Sequence, residues 1–459
     1  MRRGAPRRPR GARAIALAAL EALESGRIQR LKDPLDAARL PPRDHALAQE
    51  LAYGAERQRL FLDAVLAPLT ARGLPDAPRA RCALRLGAYQ LLFLARIPAH
   101  AALHETVDLL GHERGFANAV LRRLAGMVHL RAADPALPRL EVALPPGEGG
   151  ATRCVRLDPP GLPDPAADPA AYLAARYALP QVLVARWFQV HGAATERIAA
   201  ASAAVPEVIL RARPAQRDAL RAELAEVGVE TVAGDHPLCL RWTGGGSPFG
   251  TEAFREGRFV VQDPTAVRAA EAVEAQPGET ILDLCAAPGT KTTLLAEQVG
   301  PKGHVFAWDP EPRRRARISA NAARAGLGGV IAVVEDLARV PACARALVDV
   351  PCSNSGVLAR RVEARRRLER PDPFAALLPL QRRLLRDALA RVKSEGRVVY
   401  STCSLEPEEN GEAVRAVLAD LPPGTVEVLQ ECLILPDTPE HDGGYHAVLR
   451  VGKVPPPLP

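Results

Sequence analysis

The chain has 459 residues, 47% of them hydrophobic and 4% aromatic, with a formal net charge of +7. Its length predicts two to four domains, with cores filled mainly by Leu, Val and Ala. No run of about eighteen apolar residues occurs, which argues against a membrane-spanning helix. The eight cysteines form no CxxC pair, which argues against a structural zinc site. Their dispersal suits reduced thiols and a cytoplasmic protein. The charge is local: Arg2, Arg3, Arg7, Arg8, Arg10 and Arg13 share residues 1–13 with no acid, six of the seven excess charges. That tail reads either as an electrostatic arm for a polyanion or as a solubilising terminus. The short apolar stretch behind it runs straight into Glu21 and Glu24, so it is not read as a signal peptide.

Residues 11–130 read as all-helical, with helices over Ala14–Leu23, Asp44–Ala67, Arg79–Leu94, Ala102–Leu110 and Gly115–Leu124. His100, His104 and His112 lie close together. They read as surface or capping histidines, because a metal site would need acidic or sulfur partners that the segment does not offer. Residues 131–170 carry nine prolines that discourage long helices and weaken strands, and read as an extended linker. Residues 171–261 read as a small α+β region. In its strand Val208–Arg213, Arg211 and Arg213 are expected to alternate outward, either to meet phosphates or as a solvated face.

Residues 262–459 alternate strands and helices, which predicts a mostly parallel sheet. Strands are expected at Thr280–Leu284, His304–Trp308, Val330–Val334, Arg345–Val348 and Gly396–Ser401. The first enters the turn Leu284-Cys285-Ala286-Ala287-Pro288-Gly289-Thr290-Lys291. Its small residues let a ligand approach the backbone, and Thr290 or Thr292 is expected to cap the following helix, whose N-terminus offers free N–H groups. The turn lacks GxxxxGK[ST] and the full GxGxxG. It reads either as an ordinary strand-to-helix turn or as a cradle for a ligand without a pyrophosphate, for which S-adenosylmethionine is the natural candidate. The following strands end in Asp309, in Glu335-Asp336 and in Asp349, on the edge where open α/β sheets bind ligands. Asp309 is placed to accept from ribose hydroxyls and Asp336 from an adenine amino group.

Two cysteines stand on that same rim, Cys352 in Asp349-Val350-Pro351-Cys352-Ser353 and Cys403 in Ser401-Thr402-Cys403-Ser404. C5 of a pyrimidine is a poor nucleophile. Addition of a thiolate, the reactive form of cysteine, at C6 activates it toward a methyl sulfonium. Asp349 can hydrogen-bond the cytosine edge, and Lys291 or nearby backbone groups can favour the thiolate. A second residue must then help expel the product, and Cys352 is placed for that.

The run Leu86-Gly87-Ala88-Tyr89-Gln90-Leu91-Leu92, with Ile97–Ala102 and Phe116–Arg123, resembles the NusB-like RNA-binding helical domain. Residues 262–455 resemble the RsmB and Nop/Sun family of RNA cytosine-5 methyltransferases, through Cys285–Thr292, Asp349–Ser353, Tyr400–Ser404 and Glu406-Pro407-Glu408-Glu409-Asn410. The resemblance implies a Rossmann-like S-adenosylmethionine-dependent sheet behind a NusB-like domain and a small α+β region. It implies small-subunit ribosomal RNA as substrate, Cys403 as nucleophile and Cys352 as the residue that assists release. Leu284, Cys285, Ala286, Ala287, Pro288, Gly289, Thr290, Lys291, Asp309, Asp336 and Asp349 would meet the cofactor or the base. A monomer without metal or membrane is expected. The chain departs from the family at Thr290, where a second glycine is usual. It departs again after Cys352, where Val362-Glu363 and Arg366 replace a Pro-Asp pair and a Trp. Competing readings are a non-catalytic RNA-binding or assembly factor, tRNA as the substrate, and a DNA cytosine methyltransferase in which Cys352 attacks.

Overall fold

The computed structural model describes residues 11–452, so Arg2, Arg3, Arg7, Arg8 and Arg10 lie outside the described residues. Arg13 lies within the helix Ala12–Glu24, where its Nε donates to Gln90 Oε1 at 2.7 Å. It therefore belongs to the fold and not to the tail. The chain divides into two units. One runs through Ala203 and includes Arg365–Glu369. The other comprises Ala204–Ala364 and the chain from Arg370 onward.

The first unit contains the helices Ala12–Glu24, Lys32–Ala37, Pro42–Arg57, Arg59–Leu66, Pro78–Phe93, Ala99–Val107 and Arg114–Ala125. The long helix expected over Asp44–Ala67 is two, because the chain leaves helical geometry at Gln58 (φ −96°, ψ 10°). Leu17, Leu51, Leu62, Leu84 and Leu121 are buried between these helices. A Cβ at Gly54 would lie 2.0 Å from the Tyr89 ring, so glycine there is what lets the two helices approach.

Residues 131–170 do not form the extended linker that their prolines suggested. Val128–His129, Glu141–Leu144 and Arg153–Arg156 build a three-stranded antiparallel sheet. Val142, Leu144, Cys154 and Val155 are buried in it. Arg156 binds the buried Glu141 carboxylate at 2.9 Å, and Arg153 Nη2 donates to Leu91 O at 2.8 Å. The prolines flank these short strands and so cost them no ladder bonds. Helices Pro169–Arg176, Gln181–His191 and Thr195–Ala203 follow. Arg365–Glu369 returns to this unit, with Arg366 bound to Glu56 at 2.6 and 2.8 Å and to Glu24 at 2.8 Å.

The second unit opens with a four-stranded antiparallel sheet, in the order Thr231–Ala233, Cys239–Trp242, Ile209–Ala212, Phe259–Val261. Alternate residues of its strands enter two different cores. Leu210, Leu240 and Phe259 pack with Leu220 and Leu224, while Ile209 and Cys239 pack with Val267 and Leu294. Both faces are covered, so alternation does not mark a solvent face here, and Arg211, expected to face outward, is internal. Arg211 is 1% exposed and bonds Gln262 Oε1 (2.8 Å), Glu297 Oε2 (2.5 Å) and Thr293 Oγ1 (3.0 Å). Arg213 donates to the carbonyls of Gly257 (3.2 Å) and Ala325 (2.6 Å). Arg211 is thereby unavailable to a phosphate, while Arg213 is half-buried.

The seven-stranded sheet comprises β1 Thr280–Leu284, β2 His304–Trp308, β3 Ile331–Val333, β4 Cys343–Asp349, β5 Val392–Thr402, β6 Val426–Ile434 and β7 Gly444–Val451. Its order is β3-β2-β1-β4-β5-β7-β6. The first four pairings are parallel and the last two antiparallel. Cores cover both faces: Ile281, Leu347 and Val399 point into one, and Leu282, Val348 and Tyr400 into the other. A buried parallel strand is for that reason a nearly continuous apolar run. The strand order reverses between β1 and β4, and that switch point is where open sheets bind ligands.

Candidate active site

β1 ends at Leu284 and the chain turns at once, with Cys285 at φ 59°, a cis bond between Ala287 and Pro288, and Gly289 at φ 100°. The helix Thr290–Val299 then begins with Gly289 at its N-cap and no side-chain cap. The expected capping by Thr290 or Thr292 does not occur, because Thr292 Oγ1 donates instead to Asp283 Oδ2 at 2.6 Å. A Cβ on Gly289 would lie 3.3 Å from Ile318, in a backbone region that L side chains rarely adopt. An uncapped N-terminus beside Ala286, Ala287 and Gly289 leaves backbone donors and space for an anionic or polar ligand group. Those residues fit the carboxylate end of S-adenosylmethionine.

Asp283 is fully buried, and Oδ1 has no hydrogen-bond partner among the described residues. Burial pushes its carboxyl up to about 7; the Thr292 hydroxyl opposes the shift and the neighbouring Asp349 adds to it. Leu284 and Cys285 are also buried, and burial, with Asp309 and Asp349 nearby, holds the Cys285 thiol well above the usual range. It is a packed thiol.

Asp309, directly after β2, is 0% exposed. Its carboxylate accepts from Ala287 N at 3.2 Å and Glu311 N at 3.0 Å, and pairs with Arg314 at 3.6 Å. It pins the turn Cys285–Gly289 to the chain after β2. Asp336 is exposed after β3, and its Oδ1 accepts from Ala338 N at 2.9 Å. Trp308 Nε1 donates to Glu335 O at 3.3 Å on the same rim.

Lys291 and Asp349 meet across the switch point, Nζ to Oδ2 at 2.7 Å. Burial alone would lower the Lys291 ammonium, but Asp349 outweighs it, and with Cys403 and Asp283 also facing it the net shift is upward. Lys291 therefore remains a fixed positive charge at neutral pH.

Cys352 Sγ and Cys403 Sγ lie 3.2 Å apart. Cys352 is buried and Cys403 half-buried. The bond to Cys403, with burial added, holds the Cys352 thiol well above the usual range. Cys403 Sγ also donates to Asn354 Oδ1 at 3.3 Å, while Asn354 Nδ2 donates to Cys352 O at 3.0 Å. Asn354 was not marked by the sequence reading, since an asparagine in a loop carries no pattern of its own.

The two cysteine loops are clamped from beneath. Glu409, itself 0% exposed, accepts from Ser353 N (2.9 Å), Ser353 Oγ (2.5 Å) and Gln381 Nε2 (2.9 Å). Ser404 Oγ meets both Ser353 Oγ and Ser355 Oγ at 3.2 Å. Asn410 accepts from Thr402 Oγ1 at 2.6 Å and donates to Ser404 O at 3.0 Å. The Glu406–Asn410 run thus acts as a support that fixes one sulfur-bearing loop against the other. Gly356 N donates to Cys403 O at 3.0 Å, and a Cβ there would strike Gly443 O at 2.7 Å.

After Cys352, Val362 is fully buried, and Arg366 is committed to Glu24 and Glu56 as described above. Among the described residues no cluster of metal-ligating side chains occurs and no helix is long and apolar enough to cross a membrane.

Comparison with known proteins agrees with this arrangement. Residues 270–449 match the model of the family described as 16S rRNA methyltransferase RsmB/F, and residues 10–126 match the NusB family. A probable ribosomal RNA small subunit methyltransferase B of Bacillus subtilis is 30% identical over 427 residues, 89% of this chain and 88% of that protein. Its counterpart in Synechocystis is 34% identical over 393 residues, 83% of this chain and 82% of that protein. A crystal structure of a methyltransferase homolog protein from Pyrococcus horikoshii superposes with a TM-score of 0.54 at 25% identity, covering 63% of this chain and all of that one. With relatives of this identity matched over most of their length, and a paired-cysteine rim on a sheet of this order, the chain belongs to the RsmB/F family of 16S rRNA methyltransferases and carries a NusB domain at its N-terminal end.

Proposed function

We propose that the protein methylates C5 of a cytosine in small-subunit ribosomal RNA through a covalent Cys403–C6 adduct. The observation that carries this reading is the pair of sulfurs 3.2 Å apart beside the Lys291–Asp349 pair at the sheet's switch point. S-adenosylmethionine, when bound at the turn Cys285–Lys291, supplies the methyl group that C5 accepts. Leu284, Thr290 and Asp336 complete the proposed rim, and Asp309 holds the turn in shape.

In this reading the Cys403 thiolate forms the Sγ–C6 bond, and the C5–C6 electron pair moves to C5, which becomes nucleophilic. The Lys291 ammonium faces Cys403, and it orients the Asp349 carboxylate toward the amino edge of the base. After methylation the C5 proton passes to solvent water, the C5–H electron pair restores the C5–C6 double bond, and the Sγ–C6 electron pair returns to sulfur. Cys352, with its thiol held protonated, stands beside the departing sulfur. The target base must leave its stack at a cost of a few kcal/mol, least in single-stranded RNA.

The test is to incubate the purified chain with 16S ribosomal RNA and methyl-labelled S-adenosylmethionine, then digest the RNA to nucleosides. Label in 5-methylcytidine is expected. Label confined to another nucleoside, or present only with tRNA, overturns the reading.

A further inference from the structure

We propose that Asn354 is a further catalytic residue, whose amide oxygen holds the resting Cys403 as a directed thiol and must release it before attack; this rests on Cys403 being the nucleophile. Asn354 occupies the N-cap of the short helix Ser355–Val357, in the left-handed region at φ 64°. An asparagine at an N-cap ordinarily turns its oxygen onto the first-turn N–H groups. Here no side-chain cap is made. The oxygen instead receives the Cys403 S–H at 3.3 Å, and Nδ2 is spent on Cys352 O at 3.0 Å. That second bond fixes the orientation of the amide: with Nδ2 turned to Cys352 O, only the acceptor faces the nucleophile.

An acceptor stabilises a thiol and cannot stabilise a thiolate. Asn354 therefore opposes Lys291, the cation that Cys403 faces from the helix Thr290–Val299. The other titratable groups around the pair are Asp349, bound to Lys291, Asp283, which also faces Lys291, Cys352 at 3.2 Å, and Glu409 and Tyr400, which face Cys352. Without RNA the S–H of the nucleophile is aimed along one direction, at the Asn354 oxygen. Entry of a base that takes over the amide oxygen would leave the Lys291 charge unopposed.

The experiment follows alkylation of Cys403 by iodoacetamide in the full chain, read by peptide mass spectrometry, at pH 7 and at pH 10. Alkylation joins sulfur to the acetamide carbon, expels iodide and releases the thiol proton to solvent. Asn354→Gly tolerates the left-handed backbone and removes the acceptor. Asn354→Asp keeps an acceptor and adds negative charge. The expected result is an acceleration of about tenfold at pH 7 for Asn354→Gly with little change at pH 10, as for loss of one ordinary hydrogen bond to the neutral form. Asn354→Asp should slow the reaction at pH 7. An equal acceleration at both pH values would mean opened access alone and would overturn the proposal, as would unchanged rates. Failure of the underlying assignment would show separately, as absence of a Cys403–RNA adduct in a Cys352→Ala chain whose Asn354 is intact.

Discussion

The sulfur atoms of Cys352 and Cys403 lie 3.2 Å apart, although 51 residues separate them in the chain. Parallel neighbours β4 and β5 bring their C-terminal ends together, and each cysteine follows one of those ends by one to three residues. The sheet topology thus delivers two thiols to one point without any local sequence link. Holding them there falls to the serine–glutamate clamp below.

The clamp should be a large contributor to stability. Glu409 accepts three hydrogen bonds while wholly buried. Glu409→Ala would strand Ser353 and Gln381 donors, at about 1–3 kcal/mol for the unsatisfied groups. Thermal unfolding of that variant should begin several degrees lower, and its methyl transfer should fall even at temperatures where it is fully folded. Unchanged melting would show that the clamp is dispensable.

Asp283 should make the catalytic unit less stable as pH rises through neutrality. Its folded carboxyl, at about 7, lies above the ordinary 3.8, so the folded state holds the proton more tightly. Stability is then greatest below about pH 4 as far as this group is concerned, and it declines as pH rises toward 7 and just beyond. Asp283→Asn removes the burial penalty and keeps an acceptor for the Thr292 hydroxyl. Its melting temperature at pH 8 should exceed that of the native chain, with a flatter pH dependence between 5 and 8. A lower melting temperature at pH 8 would contradict the assignment.

The Lys291–Asp349 pair should matter to chemistry more than to folding. Removing the Lys291 charge with Lys291→Met leaves Asp349 partly buried without its partner and withdraws the cation that faces Cys403, the proposed nucleophile. A loss in kcat of about 10²- to 10³-fold is expected, in line with removal of a single electrostatic contributor. Asp349→Asn should lower kcat as well, through the base edge. A Lys291→Met enzyme that keeps its kcat and changes only KM would place the lysine in binding alone.

Much of the catalytic sheet was legible because its parallel strands are buried on both faces and read as apolar runs ending in acids or cysteines. The antiparallel strands β6 and β7 were not. β6, VEVLQECLI, is an edge strand with Val428, Leu429 and Leu433 exposed, so it shows no clean alternation. Prolines hid the hairpin at Glu141–Arg156, whose apolar positions are few. Arg211 misled for the opposite reason, since its alternation is real but both faces of its sheet are covered. The site acids were located at their strand ends, yet burial decides their use, and exposure distinguishes Asp309 from Asp336 where sequence position cannot. Asn354 and the Glu409 clamp act through contacts between distant segments, which a single chain reading does not display.

The most direct test of the central claim uses Cys352→Ala and Cys403→Ala proteins, each incubated with 16S ribosomal RNA and S-adenosylmethionine and resolved on denaturing gels. The Cys352→Ala protein should accumulate a denaturant-stable protein–RNA adduct whose cross-linked peptide contains Cys403, and the Cys403→Ala protein should form none and transfer no methyl group. An adduct that persists in Cys403→Ala and vanishes in Cys352→Ala would make Cys352 the nucleophile and contradict the account.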